Sequence, residues 1–257
     1  LLPDRLHALD RVARGHSKRT LGHELDIRAI SLIRNERDIW PYVLERALQL
    51  FDHIYVVDHQ STDGTEEITK FFANAYPKAI SRFALRQQGY YQNQVSNRLA
   101  RRAFEDGADW VLFLDADEFY RVNDRAGLED ALATHAETVV SFVWRNLLPS
   151  EFGSFCDFPI VQRYFTLNTP STFSKVSISA PWATRFPTFQ ISMGNHGVAP
   201  WRGAQPIAGP PVGEILHVPV RSLERLAFKI DCGISAYEAK ANKSPNEGHH
   251  WYTYGSF

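Results

Sequence analysis

Three acids stand within four positions at the end of an apolar run. In WVLFLDADEFY, residues 110–120, they are Asp115, Asp117 and Glu118. A buried strand has no need of charge at its tip, so the acids call for a chemical reason. On an extended chain, residues i and i+2 share a face, which sets Asp115 beside Asp117. Two such carboxylates repel unless something positive lies between them. A divalent cation does this well: Mg2+ or Mn2+ takes one or two protein carboxylates together with phosphate oxygens. The competing explanation is structural, with the acids capping the next helix or pairing with Arg121 or Arg125. Glu118 alternates away from Asp117 and is expected to anchor local structure.

The elements that position these acids alternate in type. IRAISLI (27–33) is an apolar run with β-branched residues, expected as a buried strand. Residues 38–50 have helical spacing, with Asp38 as N-cap and Pro41 in the first turn, where it is tolerated. A second strand is expected at 53–58, a turn through HQSTDGT, a helix at 65–75 and an edge strand at 78–85. A long helix at 90–106 stops at Gly107, and the acid-tipped strand follows at 110–115. Further on come a helix at 125–137, a strand at 138–146, short strands at 160–166, 173–178 and 188–193, and a last helix at 223–240. Strand–helix alternation implies an α/β fold with parallel strands and right-handed crossovers. In such sheets ligands bind beyond the carboxyl ends of the strands, where the DADE acids fall.

Other strand ends add to that edge. The first strand runs into Arg34, Asn35 and Glu36, and the second ends at Asp58, followed by Gln60 and Asp63. Asp58 can accept an N–H from a nucleobase. Ser61, Thr62 and Gly64 suit a plain turn, and DHQSTDGT lacks the spacing and final Glu of an EF-hand.

The bulk properties exclude several classes. A net charge of −1 over 257 residues gives no electrostatic footprint for nucleic acid. No apolar run approaches a bilayer span. Cys156 and Cys232 stand far apart, which argues against a disulfide framework or a zinc site and for a reducing compartment. RNERD, after the first strand, has no glycine, so neither a dinucleotide fingerprint nor a nucleotidyltransferase phosphate loop is present. Residues 1–26 form a basic segment, expected as a linker helix or a membrane-surface contact. Residues 27–240 form a single domain, divided at about residue 120 into a nucleotide half and an acceptor half. Residues 241–257 are a tail that could continue into a longer chain.

The series ISLIRNE, HIYVVDHQSTDGT and WVLFLDADEF resembles the family 2 glycosyltransferases of GT-A fold, in the branch whose metal motif is DADEF. The resemblance spans residues 27–120. A weaker echo continues in SKVSI (174–178), GNHGV (194–198) and ILHVPVRSLERLAFKI (215–230). It implies a Rossmann-like mixed sheet flanked by helices. It implies that Asn35, Glu36, Asp58 and Asp115 bind nucleotide, with Asp58 on the base and Asp115 toward the ribose; Asp63, by its place after the second strand, and Arg98, on the helix before the acid-tipped strand, are further candidates for the nucleotide. Asp117 would ligate Mn2+ or Mg2+ directly, within a set of Asp115, Asp117 and His217. His196 competes with His217, and Lys229 and Arg221 are candidates for the diphosphate. Where family members carry a second acid after Asp58, this sequence has His59.

The reaction implied is sugar transfer from a nucleoside diphosphate donor, UDP above others, to a glycan or glycolipid hydroxyl, with inversion. The base would be Glu151 or Asp157, with Glu151 preferred. The implied setting is the building of a bacterial surface polysaccharide, in the cytoplasm or at the inner face of the membrane. The alternative is a domain that kept the fold and lost the chemistry, serving as a glycan-binding or scaffolding unit.

Overall fold

The computed structural model describes residues 25–149, 164–166, 171–240 and 251–253. Its centre is a mixed sheet in the order β3-β2-β1-β4-β8-β6-β11-β5, with β7 paired to β6. The first four strands in the chain are β1 (Ile27–Ile33), β2 (His53–Asp58), β3 (Ile80–Ala84) and β4 (Trp110–Phe113), all parallel, with β3 at the edge. Helices α1 (Trp40–Leu50), α2 (Thr65–Ala75) and α3 (Gln92–Glu105) make the crossovers between them.

β1, β2 and β4 are buried on both faces, so their sequences are almost continuously apolar, whereas the edge strand β3 is largely exposed. Period-2 alternation divides them between two cores. Ile27, Ala29, Ile33, Ile54, Val56 and Leu112 pack with α1 through Trp40, Leu44 and Leu48. Ile30, Tyr55, Val57, Val111 and Phe113 face the other way, onto Leu99, Ala100 and Ala103 of α3.

The second half is less regular. β5 (Glu118–Arg121) and α4 (Arg125–Ala133) lead to the long β6 (Val139–Pro149). β7 (Tyr164–Thr166), β8 (Ser174–Ser179), α5 (Ala180–Arg185), the short pair β9 (Gln190–Ile191) and β10 (Val198–Ala199), β11 (Pro211–His217) and α6 (Leu223–Glu238) complete it. β8 is antiparallel to both β4 and β6, β11 is parallel to β6, and β5 is antiparallel to β11. The sheet is thus mixed, and only its first half is the parallel unit that alternation implies.

Three sequence expectations need correction. Asp38 does not cap α1; Ile39 holds that position without a side-chain bond, because the Asp38 carboxylate is taken by Arg221. Asp115 and Asp117 do not lie on a strand, since β4 stops at Phe113 and both fall in the turn into β5. β5, β11 and α5 were not foreseen; they are short, or rich in Pro and Gly, and their register comes from partners far away in sequence.

Candidate active site

The carboxyl ends of β2, β1 and β4 line up along one edge of the sheet, and three connected groups of polar side chains sit there. The first joins the ends of β1 and β2. Asn35 has φ of 56°, a left-handed conformation that Asn adopts more readily than most residues. Its N–H donates to Ser61 Oγ at 3.0 Å, and its Oδ1 accepts from the Thr62 N–H at 2.7 Å. Asp63 Oδ1 accepts from both the N–H (3.0 Å) and the hydroxyl (2.5 Å) of Thr65, whose Oγ1 in turn accepts from the Glu36 N–H at 2.8 Å. Asp63 therefore shapes the turn. Asp58 is different. Its Oδ1 accepts from the Ser61 N–H at 2.9 Å, while Oδ2 is buried without a partner. Arg34, next in line from β1, has a buried Nε that also lacks one. His59 is held through Nε2 against the Gln87 carbonyl at 2.8 Å, and burial lowers its pKa.

The second group surrounds Glu36 and Asp38. Arg221 is buried; it pairs with Glu36 Oε2 and, through Nε, with Asp38 Oδ2 at 2.6 Å. Arg225, on the first turns of α6, reaches Asp38 Oδ1 at 3.2 Å, Glu36 Oε2 at 3.4 Å and the Asn35 carbonyl. One turn further, Lys229 pairs with Asp117 Oδ2 and lies 3.7 Å from Glu36 Oε1. Helix α6 thus lays three basic side chains, counting Arg221 just before it, across the mouth of the acidic edge.

The third group is the DADE turn itself. Pairing of β11 with β5 sets His217 opposite Glu118, and the Val218 N–H donates to the Asp117 carbonyl at 2.8 Å. His217 Nε2 is consequently 3.6 Å from Asp117 Oδ2. On the other side, register with β6 puts His217 opposite Asn146, whose Oδ1 lies 2.8 Å from Nδ1. An amide oxygen only accepts, so Nδ1–H donates to it and Nε2 is left turned toward Asp117. The ring is stacked on Trp144 at 4.2 Å. Burial works against charge on Asp117, yet Lys229, His217 and Arg221 together hold its carboxyl well below the usual range.

Asp115 is engaged on both oxygens, by Gln92 Nε2 at 3.1 Å and by Lys175 Nζ. Lys175, on β8, is 0 % exposed and also meets Glu118 Oε1 at 3.0 Å; Glu118 is likewise 0 % exposed. Burial opposes the ammonium, but Asp115 and Glu118 outweigh it and raise its pKa. Glu118 Oε2 accepts from the Asp115 N–H at 3.1 Å, so this acid anchors the turn as its alternation suggested. Burial pushes its carboxyl up to about 8, against the pull of Lys175.

That shift has a consequence for stability. The folded-state pKa of Glu118 lies above the ordinary value, so the folded chain binds the extra proton between about pH 4.5 and 8. Its contribution is full below that window and is lost as pH rises through it, at up to about 1.4 kcal/mol per pH unit. Wild type is therefore expected to lose Tm relative to Glu118→Gln between pH 6 and pH 8.5 in parallel calorimetric scans. A constant difference would contradict the shift.

The residues fit a divalent cation. With bonds of about 2.1 Å, two ligands of one ion stand about 3–4 Å apart, the separation of Asp117 Oδ2 and His217 Nε2. The Nδ1 bond to Asn146 is the kind that orients a metal-binding imidazole. The described residues contain no group of three acids, histidines or cysteines that could hold an ion by itself.

Of the other sequence candidates, Arg98 is on the exposed face of α3. Glu151 and Asp157 lie outside the described residues. His196 donates Nδ1–H to the Ser174 carbonyl at 2.8 Å and packs against Trp144 and Phe173, and burial lowers its pKa. Lys175, Gln92, Asn146, Trp144 and Arg225 were not singled out from sequence. Only Lys175 carried a signal, as the lone charge in SKVSIS, whose other residues are serine, valine and isoleucine.

Residues 30–155 match the family model described as glycosyl transferase family 2. Over those residues the chain is a family 2 glycosyltransferase domain. The enzyme is similar in structure to a mannosyltransferase from Pyrobaculum calidifontis solved with GDP-Man and Mn2+. Identity is 15 %, the match covers 95 % of this chain and 74 % of the other, and the TM-score is 0.50. It is also similar to residues 1–349 of S. aureus TarS, at 12 % identity, with 90 % and 69 % coverage and a TM-score of 0.47. GalNAc-T7 with UDP, GalNAc and Mn2+ matches at 11 % identity, 77 % and 44 % coverage and a TM-score of 0.47. No curated protein matches the glycosyltransferase. The first likeness establishes the GT-A fold. No helix among the described residues is long and apolar enough to cross a membrane.

Proposed function

We propose that this glycosyltransferase moves a sugar from UDP to a glycan or glycolipid hydroxyl, with inversion and with a divalent cation, Mn2+ or Mg2+. The observation that carries the reading is the Asp117–His217 pair, with the imidazole Nε2 3.6 Å from a carboxylate oxygen. Such a cation, when bound, supplies Lewis acidity to the leaving diphosphate. The mannosyltransferase of similar fold was solved with Mn2+.

The rest belongs to the chain. Sheet order supports one course for the ligand: Asp58 on β2, Asn35 and Glu36 after β1, the DAD turn after β4, then Lys175, Trp144 and His217 on β8, β6 and β11. Base, diphosphate and sugar would follow in that sequence. Asp115, held by Gln92 and Lys175, is directed to the ribose. Arg225 and Lys229 meet the growing charge of the diphosphate as the bond from its oxygen to the anomeric carbon breaks. The acceptor oxygen bonds to that carbon from the opposite face, and its proton passes to a carboxylate, Glu151 or Asp157. Membrane attachment through residues 1–26, and polysaccharide assembly as the setting, are parts of the same proposal.

The base preference has a physical argument. Asp58 keeps one unshared oxygen, which suits a base with a single N–H between two carbonyls. Uracil has that edge, whereas cytosine has no proton at the equivalent nitrogen. Calorimetric titration in Mn2+ is expected to give UDP at least about tenfold tighter binding than CDP. Asp58→Asn should weaken UDP by about 10- to 100-fold, the worth of a hydrogen bond to a charged group. Equal affinity for UDP and CDP would refute the assignment of Asp58, and tighter binding of GDP would move the donor to the guanosine series.

A further inference from the structure

Two lysines serve the acids of the DAD turn, and their settings differ. Lys175 is on a central strand, fully buried between Asp115 and Glu118. Lys229 is on α6, its side chain 31 % exposed, with Asp117 and Glu36 as partners. The oxygen that Lys229 holds, Asp117 Oδ2, is the one that faces His217 Nε2. The ammonium and a cation shared with His217 therefore compete for the same atom.

We propose that Lys229 is a placeholder cation. It neutralises Asp117 until the divalent cation and the donor diphosphate arrive, then leaves that oxygen to the ion and turns to the diphosphate, with Glu36 beside it throughout. The inference rests on Asp117 and His217 being cation ligands.

The physics favours such an arrangement. A carboxylate as buried as Asp117 is costly to leave unpaired, so a site that binds its ion only with substrate needs an internal positive charge. A lysine suits the task, being a compact charge on a flexible four-carbon stem. Partial exposure lets the ammonium be hydrated as it moves. Lys175 lacks that freedom, as both its partners belong to the turn and no water reaches it. The diphosphate then replaces the counter-charge that Lys229 gives up, which couples ion binding to donor binding.

The test is a pair of affinities with opposite signs, measured on the full chain. In Lys229→Met, Mn2+ alone, followed by paramagnetic resonance of the free ion, is expected to bind about tenfold tighter than in wild type. UDP at saturating Mn2+ is expected to bind about tenfold weaker, both within the usual range of coupling between sites. Lys229→Arg, which keeps the charge, should leave Mn2+ affinity within about threefold of wild type. Thermal unfolding checks that each variant is folded, and Lys229→Gln serves if Met is not tolerated. Unchanged or weaker Mn2+ binding in the neutral variant overturns the proposal, as does unchanged UDP binding. Asp117→Asn separates the two levels. If it binds Mn2+ as well as wild type does, the cation site itself is wrong. If it loses Mn2+ while Lys229→Met gains nothing, only the placeholder fails.

Discussion

Asp117→Asn is expected to lower kcat/KM for sugar transfer by at least about a thousandfold while the protein stays folded. The substitution keeps the shape of the side chain and its room beside Lys229 and His217, but removes the charge on which both converge. Lewis-acid stabilisation of a leaving diphosphate is worth several kcal/mol, and each 1.4 kcal/mol is a factor of ten in rate. A loss of about 4 kcal/mol gives the stated factor. Steady-state transfer from UDP-sugars in Mn2+, with circular dichroism on the same preparation, checks it. Activity within tenfold of wild type would remove Asp117 from the centre of the mechanism.

Lys175→Met should cost about 3 kcal/mol of folding stability, measured by urea denaturation. The side chain is similar in length, so the loss is one of charge rather than volume. It leaves Asp115 without its counter-ion and the fully buried Glu118 without the ammonium that meets its Oε1, and removing one member of a buried ion pair is among the more destabilising single changes. Adding Asp115→Asn to Lys175→Met should recover about 1 kcal/mol or more, because it takes away the stranded charge. If the double variant is less stable than Lys175→Met, Lys175 acts by packing alone. The same lysine explains how three acids can share one tight turn.

The two halves of the chain were unequally legible. β1, β2 and β4 were readable because they are buried on both faces and bounded by helices of clear period, and α3 ended at Gly107, which has φ of 96°. The acids at the strand ends followed from that alternation. Asp115 and Asp117 were placed correctly in the chain but wrongly on a strand. Pairing of β5 with β11, about a hundred residues apart, ends β4 early and folds the DADE segment into a turn. Asp38 looked like a helix cap by its position alone, and a buried arginine from the far end of the chain claimed it instead.

What the sequence determined by itself was local: the order of strands and helices, the family its motifs resemble, and which acids stand at the ends of which strands. Hydrophobic period and turn chemistry act over a few residues, and those suffice for such features. What only the tertiary structure decided was the pairing of charges. Lys175 meets Asp115 and Glu118 because β8 runs antiparallel beside β4. His217 meets Asp117 because β11 pairs with β5, and Asn146 fixes its tautomer from β6. Lys229, Arg225 and Arg221 meet the acids because α6 packs across strand ends that lie from 112 to 189 residues earlier. Each contact depends on which strands lie side by side. That is settled by the closing of a whole sheet around two cores, and no short window of sequence contains it.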